Sequence, residues 1–242
     1  LGSNGWYEDA NGQTTSVLIQ SDQGSILLDA GSGLTRARTR IDFTKPGCLF
    51  LTHLHLDHIS GLHTLSLFPF DAGLSLITPL GGKDELLSIL RPPFMSNLEK
   101  QSYPTRLVEA ETLPQNPLPF KVSALPLEHA VPSTGYRLEI DGKIIAFVLD
   151  TAYCENAVKL AKDADLLITE AGFFPGQTGT AGHLDPEGAA RLSKEANAKR
   201  ALLVHFGASV YTEAGMRATA VDDARTVFPN LITGTDLCET LL

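Results

Sequence analysis

Cysteine is scarce in this 242-residue chain, and its placement excludes two classes of protein. The three cysteines are Cys48, Cys154 and Cys238, and no two of them form a C-x-x-C pair. An odd number without that spacing fits neither a disulfide framework nor a zinc site built from thiolates. We therefore expect buried free thiols in a reducing cytoplasm.

Long apolar runs and basic residues are also in short supply. No run approaches the roughly 20 apolar residues of a membrane span, and no secretory signal pattern is present, so we expect no membrane partner. The net charge is −9, from 19 Lys and Arg against 28 Asp and Glu. The basic cluster of Arg36, Arg38, Arg40 and Lys45 is interpreted as a solvated surface segment. Since a nucleic-acid partner usually requires a basic patch, a large nucleic acid is not expected.

The patterns that are present predict strands alternating with helices. Apolar runs joined by short turns predict hairpins around Ser21 to Gly24 and around Asp141-Gly142. Helices are predicted over 82–91, with Asp84 as a cap, and from Asp185, which suits an N-cap. This alternation favours an α/β fold.

Proline is concentrated in residues 92–120, which hold six of the chain's 14 prolines. The composition predicts irregular chain. Two interpretations stay open for this segment: a partial lid over a pocket, or a solvent-facing connector.

Four apolar strands are each followed by a titratable side chain. His53 follows "CLFLT", Asp150 follows "IIAFVL", Glu170 follows "DLLIT" and His205 follows "ALLV". Residues at strand ends converge when the strands share the edge of a sheet, so we expect these four to contribute to one site.

The densest group of such residues lies in "FLTHLHLDHISGL", which contains His53, His55, Asp57 and His58. Imidazole and carboxylate without thiolate suit zinc in a catalytic site, or manganese or iron. In extended chain, residues two apart project to the same side, so His53 and His55 can hold one ion. The adjacent pair Asp57-His58 can then reach a second. By contrast, His63 is interpreted as an ordinary helix residue.

The order of these motifs resembles the metallo-β-lactamase superfamily. The sequence H-L-H-L-D-H of residues 53–58 is followed by "LEHAVPSTGY", "FVLDT" and "LLVHF", each of which supplies one further family residue. "LLITEAGF" and "GHLDPEGAARLSKEANAKRALLVHF" resemble the ribonuclease Z-like phosphodiesterase branch. Thr169 stands where that branch has a His, and Leu184 and Asp185 replace its Ser and Thr. The resemblance implies a four-layer αββα sandwich formed by one domain, residues 1–242.

The resemblance also implies a site for two divalent metal ions, expected to be Zn²⁺, with Mn²⁺ or Fe as alternatives. It assigns seven ligands: His53, His55 and His129 to one metal, Asp57, His58 and His205 to the second, and Asp150 to both. A hydroxide bridging the two metals would attack a phosphodiester.

Three residues receive catalytic roles from the same resemblance. Asp57 would also accept the proton of the nucleophile, and His183 would bind phosphate or donate a proton to the leaving oxygen. Glu170 would orient His183 and raise its basicity. Spacing alone does not show that Glu170 and His183 meet.

The expected substrate is a small cyclic or diester phosphate. Ribonuclease Z proteins carry a tRNA-binding arm between the residues equivalent to His129 and Asp150, but here only twenty residues (130–149) lie between them. A tRNA endonuclease is therefore the less favoured reading. A lactonase or other carboxylic ester hydrolase stays open because Tyr153 follows Asp150 closely.

The complete set of metal ligands argues against a third hypothesis, a module that binds metal but catalyses no reaction. Dimers are common among the proteins that this chain resembles, but no sequence feature establishes a homodimer here.

Overall fold

A computed structural model describes residues 1–116, 118–177, 182–213 and 215–242, and all of their side chains except that of Glu99. Three parts of the sequence-based predictions lie outside these residues. They are Pro117 in the proline-rich segment, and residues 178–181 and Ala214 in the single domain predicted over residues 1–242.

The described residues form thirteen strands, most of them three to eight residues long. In chain order they are β1 (Asn4–Gly5), β2 (Val17–Ser21), β3 (Gly24–Leu28), β4 (Gly47–Phe50), β5 (Leu74–Thr78), β6 (Thr105–Glu109), β7 (Lys121–Leu127), β8 (Ser133–Ile140), β9 (Lys143–Val148), β10 (Leu166–Glu170), β11 (Ala201–Val204), β12 (Phe206–Gly207) and β13 (Leu231–Thr233).

Five α-helices and four short 3₁₀ helices occur in the same residues. The α-helices are α1 (Leu56–Ile59), α2 (Lys83–Ile89), α3 (Glu155–Ala161), α4 (Pro186–Glu195) and α5 (Met216–Ala224). The 3₁₀ helices are Ser32–Thr39, Ser60–Leu67, Leu98–Lys100 and Ala110–Thr112. None of the helices in the described parts of the chain has the length and hydropathy needed to cross a membrane.

The strands form two large sheets and one small one. The first has the order β2-β3-β4-β5-β6, and the second has the order β13-β11-β10-β9-β8-β7. The strands that carry the predicted site residues, β4, β9, β10 and β11, lie inside these sheets and pair with parallel neighbours. Strands covered on both faces have continuous apolar runs, which explains sequences such as "GCLF" and "ALLV".

The two large sheets pack face to face through an apolar core. Phe50 and Ile77 of the first sheet meet Tyr136, Phe147 and Ile168 of the second within one buried cluster. A second cluster packs α3, α4 and α5 on the outer face of the six-stranded sheet. A third packs α2 and two 3₁₀ helices on the outer face of the other sheet. The predicted α/β fold with four αββα layers is confirmed.

Both predicted hairpins are present. β2 pairs with β3 in antiparallel register across the turn at 21–24, and β8 pairs with β9 across Asp141-Gly142. The latter two residues have φ values of 51° and 72°, as a tight turn between twisted strands requires. The N-cap at Asp185 is confirmed as well, because its carboxylate accepts a hydrogen bond from the Gly188 amide.

Three predictions about local structure were wrong. Thr105–Glu109, predicted as irregular because of the surrounding prolines, is the edge strand β6, and an edge strand tolerates nearby proline. Asp84 does not cap α2, whose N-cap is Gly82 without a side-chain hydrogen bond. Cys238 is exposed, so only Cys48 and Cys154 are buried thiols.

The capping difference between Asp185 and Asp84 predicts a difference in stability. Asp185 accepts hydrogen bonds from the amides of Gly188 and Gly176, each at 2.7 Å. Asp185→Ala should therefore lower the free energy of unfolding by about 1–2 kcal/mol. Asp84→Ala serves as the control and should change it by less than about 0.5 kcal/mol. Chemical denaturation of the two variants measures both values, and equal losses would contradict the assignment.

Candidate metal centre

The four residues that follow strands are brought to one place. β9, β10 and β11 are parallel neighbours, so Asp150, Glu170 and His205 emerge at the same edge of the six-stranded sheet. His53 arrives there from β4 of the opposite sheet. Asp150 and His205 have φ values of 47° and 52°, a left-handed conformation that Asp and His adopt more readily than most residues. The chain turns sharply at both positions and directs their side chains into the centre.

The first group of ligand atoms lies around the Nδ1 atom of His55. This atom is 2.9 Å from the Nε2 atom of His53 and 3.4 Å from the Nε2 atom of His129. The Oδ2 atom of Asp150 lies 3.6 Å from the same nitrogen of His53. These four residues offer atoms that all lie within 4.8 Å of one another.

The second group of ligand atoms lies around the Nε2 atom of His205. This atom is 3.1 Å from the Nε2 atom of His58 and 3.2 Å from the Oδ2 atom of Asp57. The Oδ1 atom of Asp150 lies 3.4 Å from the Nε2 atoms of both histidines. Asp150 therefore lies between the two groups, with one carboxylate oxygen facing each.

The chemistry of these atoms fits divalent metal ions. His53, His58, His205 and Asp150 are at most 2 % exposed, and the Oδ1 atom of Asp150 has no hydrogen-bond partner among the described residues. Two imidazole nitrogens that face each other at 3.1 Å can share only one proton between them. A buried cation would satisfy the converging lone pairs, whereas apolar packing would leave them unpaired.

The protonation states of the centre also suit metal binding. Burial lowers the pKa of His53 to about 2, so this imidazole is neutral at physiological pH. Burial would raise the pKa of Asp150, but the charges of His205 and His58 hold it well below its ordinary value. Burial would lower the pKa of His58, but Asp150 and Asp29 raise it well above its ordinary value. Since a nitrogen must be unprotonated to bind a metal, a metal ion and a proton would compete for His58.

Asp29 contacts the predicted site residues and was missed by the sequence reasoning. Its Oδ2 atom lies 2.8 Å from the Nδ1 atom of His58 and accepts a hydrogen bond from the Thr52 hydroxyl. That hydroxyl is also 3.0 Å from the Nδ1 atom of His53. Partners of this kind fix the ring orientation of metal-binding histidines. The signal was available, because Asp29 follows the buried strand β3 as the other site residues follow theirs.

His183 and Glu170 meet beside the two groups. The Nδ1 atom of His183 lies 2.7 Å from the Oε2 atom of Glu170, whose Oε1 atom accepts a hydrogen bond from the Thr151 amide at 2.7 Å. Both side chains are buried. Burial would lower the pKa of His183, but the hydrogen bond and charge of Glu170 raise it to about 9. The pair therefore places the His183 imidazole 3.9 Å from the Oδ2 atom of Asp150.

Three further side chains complete the comparison with the sequence. Tyr153 directs its hydroxyl to Glu195 on α4, so that hydroxyl is engaged away from the ligand groups. His63 is exposed and contacts the carbonyl of Ser60, in agreement with its ordinary role. Trp6, to which no role was given, donates its backbone N–H to the Oδ2 atom of Asp57 at 2.8 Å.

Comparison with known proteins decides the family. Residues 25–206, well over half of the chain, match the beta-lactamase superfamily domain. The chain belongs to the beta-lactamase superfamily. Both ligand groups draw residues from the matched segment, and the membership and the metal-binding geometry together make this protein a hydrolase of the metallo-β-lactamase fold that uses divalent metal ions.

Two relatives align with most of this chain in sequence. The probable metallo-hydrolase YhfI of Bacillus subtilis (strain 168) is 30% identical over 234 residues, which are 94% of this chain and 92% of the relative. Ribonuclease Z of Geobacillus kaustophilus (strain HTA426) is 28% identical over 237 residues, covering 75% of this chain and 76% of the relative.

Solved structures agree with the architecture. The crystal structure of YhfI matches with a TM-score of 0.78 at 26% identity, covering 97% of this chain and 94% of YhfI. The short form of human tRNase Z matches with a TM-score of 0.72 at 22% identity, covering 98% of this chain and 95% of that enzyme. At that identity the second match shows the shared fold alone.

The contacts of Asp29 predict a role in metal affinity. Asp29→Asn keeps the shape of the side chain but removes the charge that orients His58. We expect the affinity for zinc to fall about 10- to 100-fold. The control is Asp42→Asn, which changes an exposed aspartate whose side chain accepts hydrogen bonds from Thr44. Calorimetric titration of metal-free protein measures both, and an unchanged affinity in Asp29→Asn would refute the role.

Proposed function

We propose that this protein is a phosphodiesterase that binds two divalent metal ions, with zinc or manganese as the metals. It would hydrolyse a small cyclic or diester phosphate, adding water across one P–O bond to give a phosphate monoester and an alcohol. The single observation that carries the proposal is the buried His183–Glu170 pair beside the two ligand groups. A protonated imidazole at that point suits an anionic phosphate group.

The ligand atoms divide between the two ions in the proposal. His53, His55 and His129 would hold one, Asp57, His58 and His205 would hold the other, and Asp150 would contribute one oxygen to each. Bound there, such ions would lower the pKa of water and neutralise charge on the phosphate oxygens.

His183 would donate a hydrogen bond to the phosphate or a proton to the leaving oxygen. Because its Nδ1 atom is held by Glu170, that proton would come from Nε2. The raised pKa keeps the imidazole protonated near neutral pH, as a general acid requires. Asp57, held by the backbone N–H of Trp6, would accept the proton of the attacking water.

The structure around the site supports a small substrate. Between His129 and Asp150 the chain forms β8 and β9, joined directly at Asp141-Gly142. An inserted arm of the kind expected for tRNA binding has no place in residues 130–149, all of which are described. The net charge of −9 also disfavours a large polyanion. The ribonuclease Z relative therefore supports phosphodiester chemistry more than an RNA substrate.

A substrate panel tests the proposal. Protein loaded with zinc or manganese is offered bis(p-nitrophenyl) phosphate, 2′,3′-cyclic nucleotides, an acyl lactone and a precursor tRNA. We expect turnover of the first two and about two metal equivalents per chain. Turnover of the lactone alone would overturn the proposal in favour of an ester hydrolase. Cleavage of the tRNA alone would favour the endonuclease, and no turnover with less than two metals would favour a non-catalytic module.

The role of His183 predicts a loss of rate without a loss of metal. His183→Ala should lower kcat for a 2′,3′-cyclic nucleotide by about 10²- to 10⁴-fold, since its leaving alkoxide needs a proton and general acid catalysis contributes a factor of that size. Metal content by elemental analysis should stay at the wild-type level. The control is His63→Ala, which removes an exposed histidine outside the site. An unchanged kcat in His183→Ala would remove this residue from the mechanism.

The contact with Glu170 predicts the pH dependence. His183 has a raised pKa, so its protonated form persists at neutral pH and is lost as the pH rises through about 9. Activity should therefore fall on the alkaline side. In Glu170→Gln the stabilising charge is removed, so this fall should begin at a lower pH than in the wild type. Profiles of kcat/KM against pH measure the shift, and coincident alkaline limbs would contradict the assignment.

A further inference from the structure

Trp6 combines a strained backbone with an exposed side chain. Its φ is 74°, a conformation that is a rare outlier for a bulky residue. Its side chain is 52% exposed, although tryptophan is the largest apolar residue and the chain has no other. Strained residues persist where the surrounding structure holds them, and they cluster at ligand-binding sites.

Contacts on both sides hold Trp6 at the edge of the metal centre. The preceding strand β1 pairs with β12, which begins directly after His205. A Cβ atom on Gly5 would lie 2.6 Å from the Cε1 atom of His205, so only glycine permits this close approach. The backbone N–H of Trp6 then donates to Asp57 at 2.8 Å. Trp6 is therefore tied to the second ligand group through its own backbone.

Leu56 adds a second apolar side chain at the same edge. It is 77% exposed and lies in sequence between two residues of the centre, His55 and Asp57. Single exposed apolar residues are ordinary on a protein surface. Here both are linked to the same half-buried residue, Asp57: the backbone of Trp6 donates a hydrogen bond to its carboxylate, and Leu56 precedes it in the chain.

We propose that Trp6, flanked by Leu56, forms a platform for a planar aromatic group carried on one ester oxygen of the substrate. The group would be a nucleobase or a simple aryl ring, since either offers a π-face for stacking. This inference rests on the proposed function and names the class of diester. The ligand groups and His183 would take the phosphate, whereas Trp6 and Leu56 would take the uncharged substituent.

A protein partner is the less favoured occupant of this platform. The Trp6 backbone is hydrogen-bonded to Asp57 and Leu56 adjoins it in the chain, so a partner that covered both residues would lie against a residue of the second ligand group. A substrate group would cover Trp6 and Leu56 only while the substrate is bound and would leave with the product, so it would not block the site.

The platform predicts which kinetic parameter changes. Stacking far from the reacting P–O bond contributes equally to the bound substrate and the transition state, so its loss raises KM more than it lowers kcat. The backbone hydrogen bond to Asp57 does not depend on the Trp6 side chain. Trp6→Ala should therefore retain both metals.

Two substrates with the same leaving group test the inference. Bis(p-nitrophenyl) phosphate and methyl p-nitrophenyl phosphate both release p-nitrophenolate, but only the first retains an aryl substituent. We expect the wild type to prefer the first, and Trp6→Ala to reduce the ratio of the two kcat/KM values about tenfold, chiefly through KM. Trp6→Phe should restore most of the ratio. Leu56→Ala should reduce it partly, whereas Leu67→Ala, which truncates another exposed leucine, serves as the matched control.

Fluorescence supplies a readout that does not require turnover. Because Trp6 is the sole tryptophan, its emission reports on this position alone. Saturable changes on addition of p-nitrophenyl phosphate or adenosine monophosphate, with none on addition of inorganic phosphate, would support the platform. A response to only one of the two would identify the aromatic source as aryl or nucleobase.

The outcomes separate this inference from the proposed function. If the wild type hydrolyses neither diester and no 2′,3′-cyclic nucleotide, the proposed function fails. If it hydrolyses both and Trp6→Ala leaves their ratio unchanged with metals retained, the platform is overturned, and a change of oligomeric state in that variant would assign Trp6 to an interface between copies. Should Trp6→Ala not fold, Trp6→Gly replaces it, because glycine accepts the positive φ without strain.

Discussion

The buried carboxylate of Asp150 is the constraint on which the rest of this structure depends. It is 2 % exposed, and its two oxygens face two separate sets of imidazoles. An ionised carboxylate at that depth is tolerated only with positive charge beside it. The imidazoles around it offer nitrogen ligands as well, and divalent cations bound between the two sets would supply that charge.

The fold meets this constraint by bringing strand ends from both sheets to one edge. Parallel pairing of β9, β10 and β11 aligns Asp150, Glu170 and His205, and β4 delivers its histidines from the facing sheet. Contacts with carboxylates then fix the orientation of two imidazole rings: Asp29 contacts His58, and Glu170 contacts His183. Each of these carboxylates also follows or ends a buried strand, so the same structural rule positions the ligands and the residues that orient them.

The surroundings of the centre differ in charge and polarity from one side to the other. Charge is concentrated in the ligand groups and in the His183–Glu170 pair, whereas the edge near Asp57 presents apolar side chains. The direct hairpin between β8 and β9 leaves the entrance without an inserted arm. These features together favour a compact diester with one uncharged substituent, in a superfamily whose members share the fold but differ in substrate.

The sequence was sufficient for the family, the layers and the ligand candidates through its resemblance to a known superfamily, and the apolar runs followed by His, Asp or Glu marked four of the site residues. It was insufficient where the signal is a contact between distant residues. The bond between Glu170 and His183, the support of His58 by Asp29, and the contact of Trp6 with Asp57 all join segments brought together by sheet pairing and packing. Strand β6 escaped prediction for a related reason, since pairing with β5 outweighed the local influence of proline. The local sequence indicates which groups are buried, but their hydrogen-bond partners are determined only when the two sheets pack against each other.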